Sequence, residues 1–429
     1  MTASGENPSI GRSLFRSPSL LIMGRLGASA LALISSPIVA RAIGPEGRGE
    51  TAAAIALFLI VPVVIGFGLP LEVRRQAATS NGHAVVRTAR LIVAAFAFLA
   101  VGIAILAYYT VFSDFDKGGR AAAAIGVALT PLAASWAIDI SVLVAHRRYA
   151  GVLTMQMLEA SVTLSMILAF WMLGRATVAT VLIASITGTV ATFLAGLLLV
   201  RVPLRGDRVG IRCLLRGGFR FVGSAIAEIG SFRADQVIAL PLIGSYQAGL
   251  YSVAVTIGSV PLAVGHALAA SYFSPIAQEP PLNRKRLQGE AVRAALAIAT
   301  VTIPLIAIAA WVAIPLVFGS AFSASRIVTL LSLIGSAGML VAFVASMALA
   351  ADGQGGLMTI AQIVSLVCGV ASLIILGPIF GAIGAAIASG VGYFALLFTL
   401  LVFLHIPAGR LIPRFVDFPN SFRRLKRDR

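Results

Sequence analysis

Two short stretches decide how this chain is read: IGPEGRGETAAA at 43–54 and IGSYQAGLYSVA at 243–254. They align at an offset of 200, with Gly44 over Gly244 and Gly49 over Gly249. Each joins two apolar runs that are long enough to cross a bilayer, which takes about 20 residues. A weaker match relates the chain from Gly174 onward to the chain from Gly381 onward. Gly is 42 of the 429 residues, so glycine-rich turns alone can coincide. Here spacing, position and topology agree together, which is the signature of an internal repeat. Both halves start on the same side after an even number of crossings. The repeat is therefore parallel, with a pseudo-two-fold axis along the membrane normal, and two such lobes around a cleft form a transporter architecture.

Composition sets the solvent. The chain is 59% hydrophobic and 11% charged, with a mean hydropathy of +0.98. An average soluble domain carries about 25% charged residues, so a water-soluble globular protein is excluded. Apolar runs fall at 20–43, 50–72, 89–112, 121–145, 151–173, 177–200, 219–243, 248–272, 293–318, 326–350, 357–378 and 381–404. The expected fold is an all-α integral membrane protein with about twelve transmembrane helices in two six-helix lobes around a central cleft. The expected division is a cytoplasmic N-tail (1–19), an N-lobe (20–200), a basic cytoplasmic linker (201–218), a C-lobe (219–404) and a basic cytoplasmic C-tail (405–429). An Ala-x-Ala at 40–42 after a basic front resembles a signal-peptide end. The repeat that follows it argues instead that the first run belongs to the fold.

The net charge of +17 comes from 33 Lys and Arg against 16 Asp and Glu. In a soluble protein this suggests nucleic acid. Here the basic residues sit in the longer, even-numbered connectors and in the tails, so the positive-inside rule explains them and no nucleic-acid partner is expected. With the N-terminus inside, 25 of the 33 fall inside. Six fall outside: Arg41, Arg48, Lys117, Arg120, Arg175 and Arg326. Arg25 and Arg233 lie within spans. Both termini are thus expected in the cytoplasm of a multi-pass protein of the cell membrane. Cys213 and Cys368 sit in different environments and His83, His146, His266 and His405 share no ligand spacing, so neither a disulfide nor a metal site is expected.

Charges inside spans cost about 2.5–3.5 kcal/mol each on insertion scales and therefore need a partner, water or a function. The seventh span carries Ser224, Glu228, Ser231 and Asp235 at i, i+4, i+7 and i+11, one face of a helix. Gly223 and Gly230 lie beside that stripe. Arg233 is about 200° around the helix from Asp235. One reading is a wet cleft lined by this face; the other is an internal ion-pair network. In the first span Arg25, Ser29 and Ser36 share a face, and Arg25 either meets an anionic substrate head or snorkels to the inner headgroups. Asp139 in the fourth span and Glu159 in the fifth are candidates for ion coupling to H⁺ or Na⁺. Alternatively they pair with Arg147 and Arg148 of the loop that joins those spans.

Absences narrow the function further. The sequence has no P-loop, so no ATP motor. It has no Asp-x-Asp nucleotide-sugar motif and no long outside loop to hold a catalytic centre, which disfavours a membrane glycosyltransferase or polymerase. No enzyme activity and no cofactor are expected.

The run GRLGASALALISSPIVARAIGPEGRGETAAAIALFLIVPVVIGFGLPLEVRRQAA (24–78) resembles the opening of polysaccharide or oligosaccharide flippases of the multidrug/oligosaccharidyl-lipid/polysaccharide (MOP) exporter superfamily. FRADQVIALPLIGSYQAGLYSVAVTIGSVPLAVGHALAASYFSPIA (232–277) is similar to the start of their second half, and GPIFGAIGAAIASGVGYF (377–394) to the start of their last span. The resemblance covers most of the chain. It implies two six-helix lobes facing each other in a V and alternating access for a polyprenyl-diphosphate-linked sugar. By position it implies Arg25, Arg233 and Asp235 as cavity-lining residues. Arg25 and Arg233 would compensate the diphosphate. Glu228, Asp235, Asp139 and Glu159 would bind a proton or Na⁺, or hydrogen-bond sugar hydroxyls. The chain lacks the two further C-terminal spans of the lipid II flippases, which counts against a peptidoglycan role. Implied partners are the lipid-linked oligosaccharide, membrane lipids, and a polysaccharide polymerase and glycosyltransferases. The alternatives are a cation-coupled multidrug exporter of the same superfamily and a non-transporting scaffold for polysaccharide assembly.

Overall fold

The protein is described here from a computed structural model that covers residues 19–78, 82–203 and 205–406. The N-tail before residue 19 and the C-tail after residue 406 lie outside the described residues. Among those described there is no strand. The chain runs through α1 (Ser19–Gly66), α2 (Leu69–Ala77), α3 (Gly82–Ala95), α4 (Ala97–Tyr109), α5 (Lys117–Ala128), α6 (Thr130–Ala145), α7 (Tyr149–Met172) and α8 (Val178–Val200). It continues through α9 (Ile211–Gly258), α10 (Val260–Gln278), α11 (Pro281–Ala313), α12 (Ser325–Ala351), α13 (Gly355–Phe380) and α14 (Ala382–Leu404). A bilayer core cannot hydrogen-bond exposed peptide groups, and a helix satisfies its own.

Nine stretches of the described residues are long and apolar enough to cross a membrane, and the bent pair α5–α6 makes a tenth. Two of the nine, 23–66 and 211–278, are 44 and 68 residues long, more than twice the length one crossing needs. Both reverse direction within. In α1 the bend is at Gly44 (φ 68°, ψ −177°) and in α9 at Gly244 (φ 78°, ψ 163°), the two aligned glycines of the repeat. The reversal is read directly from side chains. Arg48 donates to Ser36 Oγ at 3.0 Å, although twelve residues of straight helix span about 18 Å. Tyr251 donates to the carboxylate of Asp235, sixteen residues earlier. The first and seventh connectors are therefore single-residue bends in otherwise continuous helix, where loops were expected. The count comes to about twelve crossings in two halves.

Other spans are broken as well, two of them just ahead of a proline. The expected third span divides at Phe96 into α3 and α4. The fourth divides ahead of Pro131 into α5 and α6, bent by 40°. The eighth divides at Ser259, ahead of Pro261, where α10 begins. Proline removes a helical N–H and clashes with the preceding turn.

Each lobe has its own core. Ile65, Leu69, Ile138, Leu143, Met155 and Leu182 are buried in the N-lobe, and Leu268, Ile276, Ile298, Leu340 and Leu400 in the C-lobe. An ion pair staples the third crossing to the fourth in both lobes: Arg90 to Asp139 at 2.6 Å, and Arg284 to Asp352 at 2.6 Å. Large apolar side chains such as Leu198, Met172, Ile375 and Phe398 remain exposed on the outside of the lobes, where a bilayer, not water, is their solvent.

The lobes meet at the two bends. A Cβ on Gly49 would collide with the carbonyl oxygen of Ser245, and one on Gly249 with that of Pro45. Residues 45 and 245, like 49 and 249, are equivalent in the repeat. The contact is thus reciprocal, as a pseudo-two-fold axis requires. Gly44 and Gly244 have open space around them and need glycine for their backbone angles alone. Gly249→Ala is therefore expected to lower the thermal midpoint in detergent more than Gly44→Ala. The first forces backbones apart, at about 3 kcal/mol. The second costs only local strain of about 1–3 kcal/mol. A larger effect for Gly44→Ala would contradict the reciprocal contact.

Candidate functional site

The polar residues of the first and seventh spans separate by depth. In the half away from the Gly44 and Gly244 bends, Gly24 and Gly27 of α1 pack on α7, against Gln156 and Met157. That leaves Arg25 and Ser29 exposed. Across from them on α9, Glu228 is exposed and Gly223 has open space where a side chain would be. Arg25 lies within Coulombic range of Glu228 on α9, His266 on α10 and Arg74 on α2. His266 is held against the Phe343 ring at a centroid distance of 3.7 Å, and Phe343 stacks on Phe232 at 5.6 Å. One cation of the N-lobe thus faces a carboxylate and an imidazole of the C-lobe across a polar space.

Arg74 is the residue that sequence reasoning missed. It was counted only as a basic residue of the second connector. The break at Phe67 and Gly68 (φ 45° and 68°) turns α2 away from the second crossing and brings Arg74 back toward Arg25. Partial desolvation, and then the positive charge of Arg25, hold the Arg74 guanidinium below its ordinary value. Arg25 thus has a second cation as well as the Glu228 carboxylate within Coulombic range. The signal available in the sequence was LPLEVRR at 69–75, a proline-started helix carrying paired arginines.

In the half next to the bends the same face of α9 is packed. Ser231 donates to Ala227 O at 2.8 Å and to Gln362 O of α13 at 3.2 Å. Asp235 accepts from Tyr251, from Ser389 Oγ at 3.1 Å and from the Gln236 N–H at 2.8 Å. Tyr251 and Ser389 are themselves 2.5 Å apart. Asp235 therefore sits in a hydroxyl network inside the C-lobe, and the electrostatic neighbours of Arg233 are Asp235 and Tyr393 of the same lobe. Ser224 bonds locally to Phe221 O at 2.9 Å. Of the six residues expected to bind substrate, the structure puts Arg25 and Glu228 opposite one another and places Asp235 and Ser231 among C-lobe helices.

The two ion-coupling candidates also lie within a lobe. Asp139 is fully buried and pairs with Arg90 of α3, and not with Arg147 or Arg148 as one reading had it. Its second oxygen is buried beside Gly196 without a hydrogen-bond partner. Arg147 adopts φ 55° and Arg148 bonds instead to Leu199 O at 3.0 Å. The side chain of Glu159 accepts a hydrogen bond from Thr189 of α8.

At the end that carries the Gly44 and Gly244 bends, two arginines of the N-lobe grip the C-lobe. Arg48 reaches Thr256 Oγ1 at 3.1 Å. Arg41 donates from Nε to Val317 O at 2.8 Å and from Nη2 to Leu316 O. Those carbonyls belong to a π-helical turn, Ile314–Phe318, that ends α11. A cation there meets the negative end of the helix dipole. Arg120 stacks 3.9 Å over the Tyr108 ring and Arg326 lies 5.1 Å over Trp311. At the opposite end of the lobes, α2 approaches the start of α9 at Gly217 and Gly218. There Glu72, 1% exposed, accepts from Arg75 Nε at 2.9 Å.

A family model described as "Polysaccharide biosynthesis protein" matches residues 14–275, more than half of the chain. The chain belongs to that family. No curated protein matches it. Among solved structures, this family member resembles "Lipid II flippase MurJ, inward closed conformation", with a TM-score of 0.74 and 14% identity over 95% of this chain and 92% of that one. It also resembles an inward-facing multidrug resistance MATE family transporter of the MOP superfamily, with a TM-score of 0.62 and 16% identity over 90% and 97%. A MOP superfamily transporter from Pyrococcus furiosus follows at TM-score 0.56 and 15% identity over 93% and 98%. At these identities the likeness shows the fold, that of MOP-superfamily transporters, in a multi-pass membrane protein. The matches are to transporters and flippases, not to enzymes.

Two outcomes follow from this geometry. In a background without Cys213 and Cys368, a cysteine at 228 is expected to react with a water-soluble maleimide about tenfold or more faster than one at 235, because thiol reactivity follows access; equal rates would contradict the split by depth. The Arg75 hydrogen bond holds Glu72 below the usual carboxylate range. Its stabilisation is complete above about pH 4.3, the unfolded value, and is lost as pH falls through the folded one. Glu72→Gln should lower the thermal midpoint at pH 7 by the equivalent of about 1 kcal/mol, a modest value because Arg75 is exposed. That difference should close in acid.

Proposed function

We propose that this chain is an alternating-access flippase that moves a polyprenyl-diphosphate-linked oligosaccharide from the inner to the outer leaflet for surface polysaccharide synthesis. The observation that carries the reading is Arg25 of the N-lobe, which has Arg74 within Coulombic range and faces Glu228 and His266 of the C-lobe across the inner half of the inter-lobe space. The two guanidiniums match a diphosphate in charge and in hydrogen-bond geometry. Glu228, Ser29 and Ser224 offer acceptors and donors to sugar hydroxyls. The polyprenyl chain stays in the bilayer while the polar head crosses, so no large apolar cavity is needed. Family membership and the MOP fold support this assignment.

Reorientation requires the outer contacts to part: the Arg41 grip on α11, the Arg48 bond to Thr256 and the Gly49–Gly249 approach. Small displacements suffice because each is a discrete polar or backbone contact. We assign coupling to H⁺ or Na⁺, where it operates, to carboxylates whose bonding partners are hydroxyls, Asp235 first and Glu159 second. Asp139 ranks behind them because Arg90 already neutralises it. The protein is placed in the cell membrane with both termini in the cytoplasm, beside a polysaccharide polymerase and glycosyltransferases.

A deletion strain is expected to accumulate a polyprenyl-diphosphate oligosaccharide, read by mass spectrometry of extracted lipids, and to lose its surface polymer. Arg25→Ala and Arg74→Ala, expressed at normal level, should each reduce complementation about tenfold or more, the loss of a charge-assisted bond to phosphate. Full complementation by both would remove the assigned site. An unchanged lipid-glycan pool with raised sensitivity to cationic dyes would favour a multidrug exporter, the reading to which the MATE-like fold also belongs.

A further inference from the structure

We propose a second binding site, on the inner face of the N-lobe and separate from the inter-lobe space, that takes a phosphate group. It is built by the linker that joins the lobes. After Val200 the chain turns at Arg201 (φ 47°) and folds back over the first turns of α3. The side chain of Arg87, only 8% exposed, fixes it there. Its guanidinium donates to Pro203 O at 2.9 Å, to Arg205 O at 3.0 Å and to Asp207 O. Thr88 Oγ1 accepts from the Val209 N–H at 3.0 Å. A connector with no regular structure is thereby docked on the lobe, with its carbonyls bound by a buried cation.

Under this linker lies a cavity of about 100 Å³, several times the ~10–15 Å³ that one water needs. Gly82 and His83 of α3, His146 after α6, and Arg148 form its polar wall, and Val200 and Val202 of the linker close one side. The remaining lining is aliphatic and no carboxylate contributes to it. Arg148 is anchored by one bond to Leu199 O at 3.0 Å, and a guanidinium has five N–H donors. The His146 imidazole offers at least one N–H in either protonation state. The first turn of the fourteen-residue helix α3 adds its positive end. Two imidazoles and a guanidinium over an apolar floor, with no competing acid, are complementary to a phosphomonoester or phosphodiester. On the inner side of the membrane two sources supply it, a soluble phosphate or the headgroup of an anionic lipid.

The test uses the full-length protein in neutral detergent. Its thermal midpoint is followed while either inorganic phosphate or short-chain phosphatidylglycerol is added. The expected result is a saturable rise with at least one probe. Arg148→Gln and the double variant His83→Asn/His146→Asn should weaken the apparent affinity about tenfold or more, as for loss of a charge-assisted bond. Arg205→Gln, which removes an exposed linker charge without touching the cavity, should change it less than about twofold. A response to inorganic phosphate identifies a soluble ligand, and a response to phosphatidylglycerol alone identifies a headgroup. His83→Asn alone, at an exposed position, tests the site should the other variants fold poorly. The proposal falls if neither probe saturates, or if Arg205→Gln weakens binding as much as Arg148→Gln.

Discussion

The architecture depends on one reciprocal contact, the approach of Gly49 to the backbone of residue 245 and of Gly249 to that of residue 45. Only a residue without Cβ permits it, and only a pseudo-two-fold axis makes it occur twice. It joins the lobes at the bends. From there the first and seventh crossings extend from a common point. Arg41 and Arg48 add polar contacts at the same end. The halves of the facing helices next to the bends are held together, and in the halves away from them Arg25 and Glu228 are exposed and Gly223 has open space.

Bilayer physics explains the disposition of the charges. A cation on the outside or in a span is expensive unless something receives it. Most of those here have a receiver: carbonyls for Arg41, hydroxyls for Arg48, aromatic faces for Arg120 and Arg326. The ion pairs Arg90–Asp139 and Arg284–Asp352 occupy corresponding places in the two lobes although their positions do not align residue for residue. The repeat preserves the need to staple the third crossing to the fourth, and not the residues that do it. Arg25 and Arg74 differ from all of these. They lie within Coulombic range of one another, and Arg25 also has Glu228 and His266 of the C-lobe within that range.

Much of this was legible in the amino-acid sequence. Hydropathy with a 20-residue yardstick gave an all-helical membrane protein, because the cost of an unpaired peptide group in lipid leaves few other solutions. The aligned glycines gave two parallel six-helix halves, because a bend with φ near +70° selects glycine whatever surrounds it. Periodicity also placed Ser224, Glu228, Ser231 and Asp235 on one face of one helix. It did not say that the face changes surroundings along its length. Glu228 looks into the inter-lobe space while Asp235, two turns further out, is enclosed by Tyr251 and Ser389. Helical spacing reports direction around an axis and nothing about what other helices bring to each depth.

The sequence by itself determined solvent, the approximate number of crossings and the repeat, since these follow from local composition and backbone conformation. The tertiary structure alone decided partnership. Asp139 meets Arg90, 49 residues away, and not the arginines in its own loop. Arg74 returns to Arg25 because two residues with positive φ redirect a short helix. The linker, a run of arginines in the sequence, becomes the wall of a pocket because Arg87 binds its carbonyls. Each is a contact between segments distant in the chain, and its energy depends on distance and desolvation, which only the assembled fold fixes.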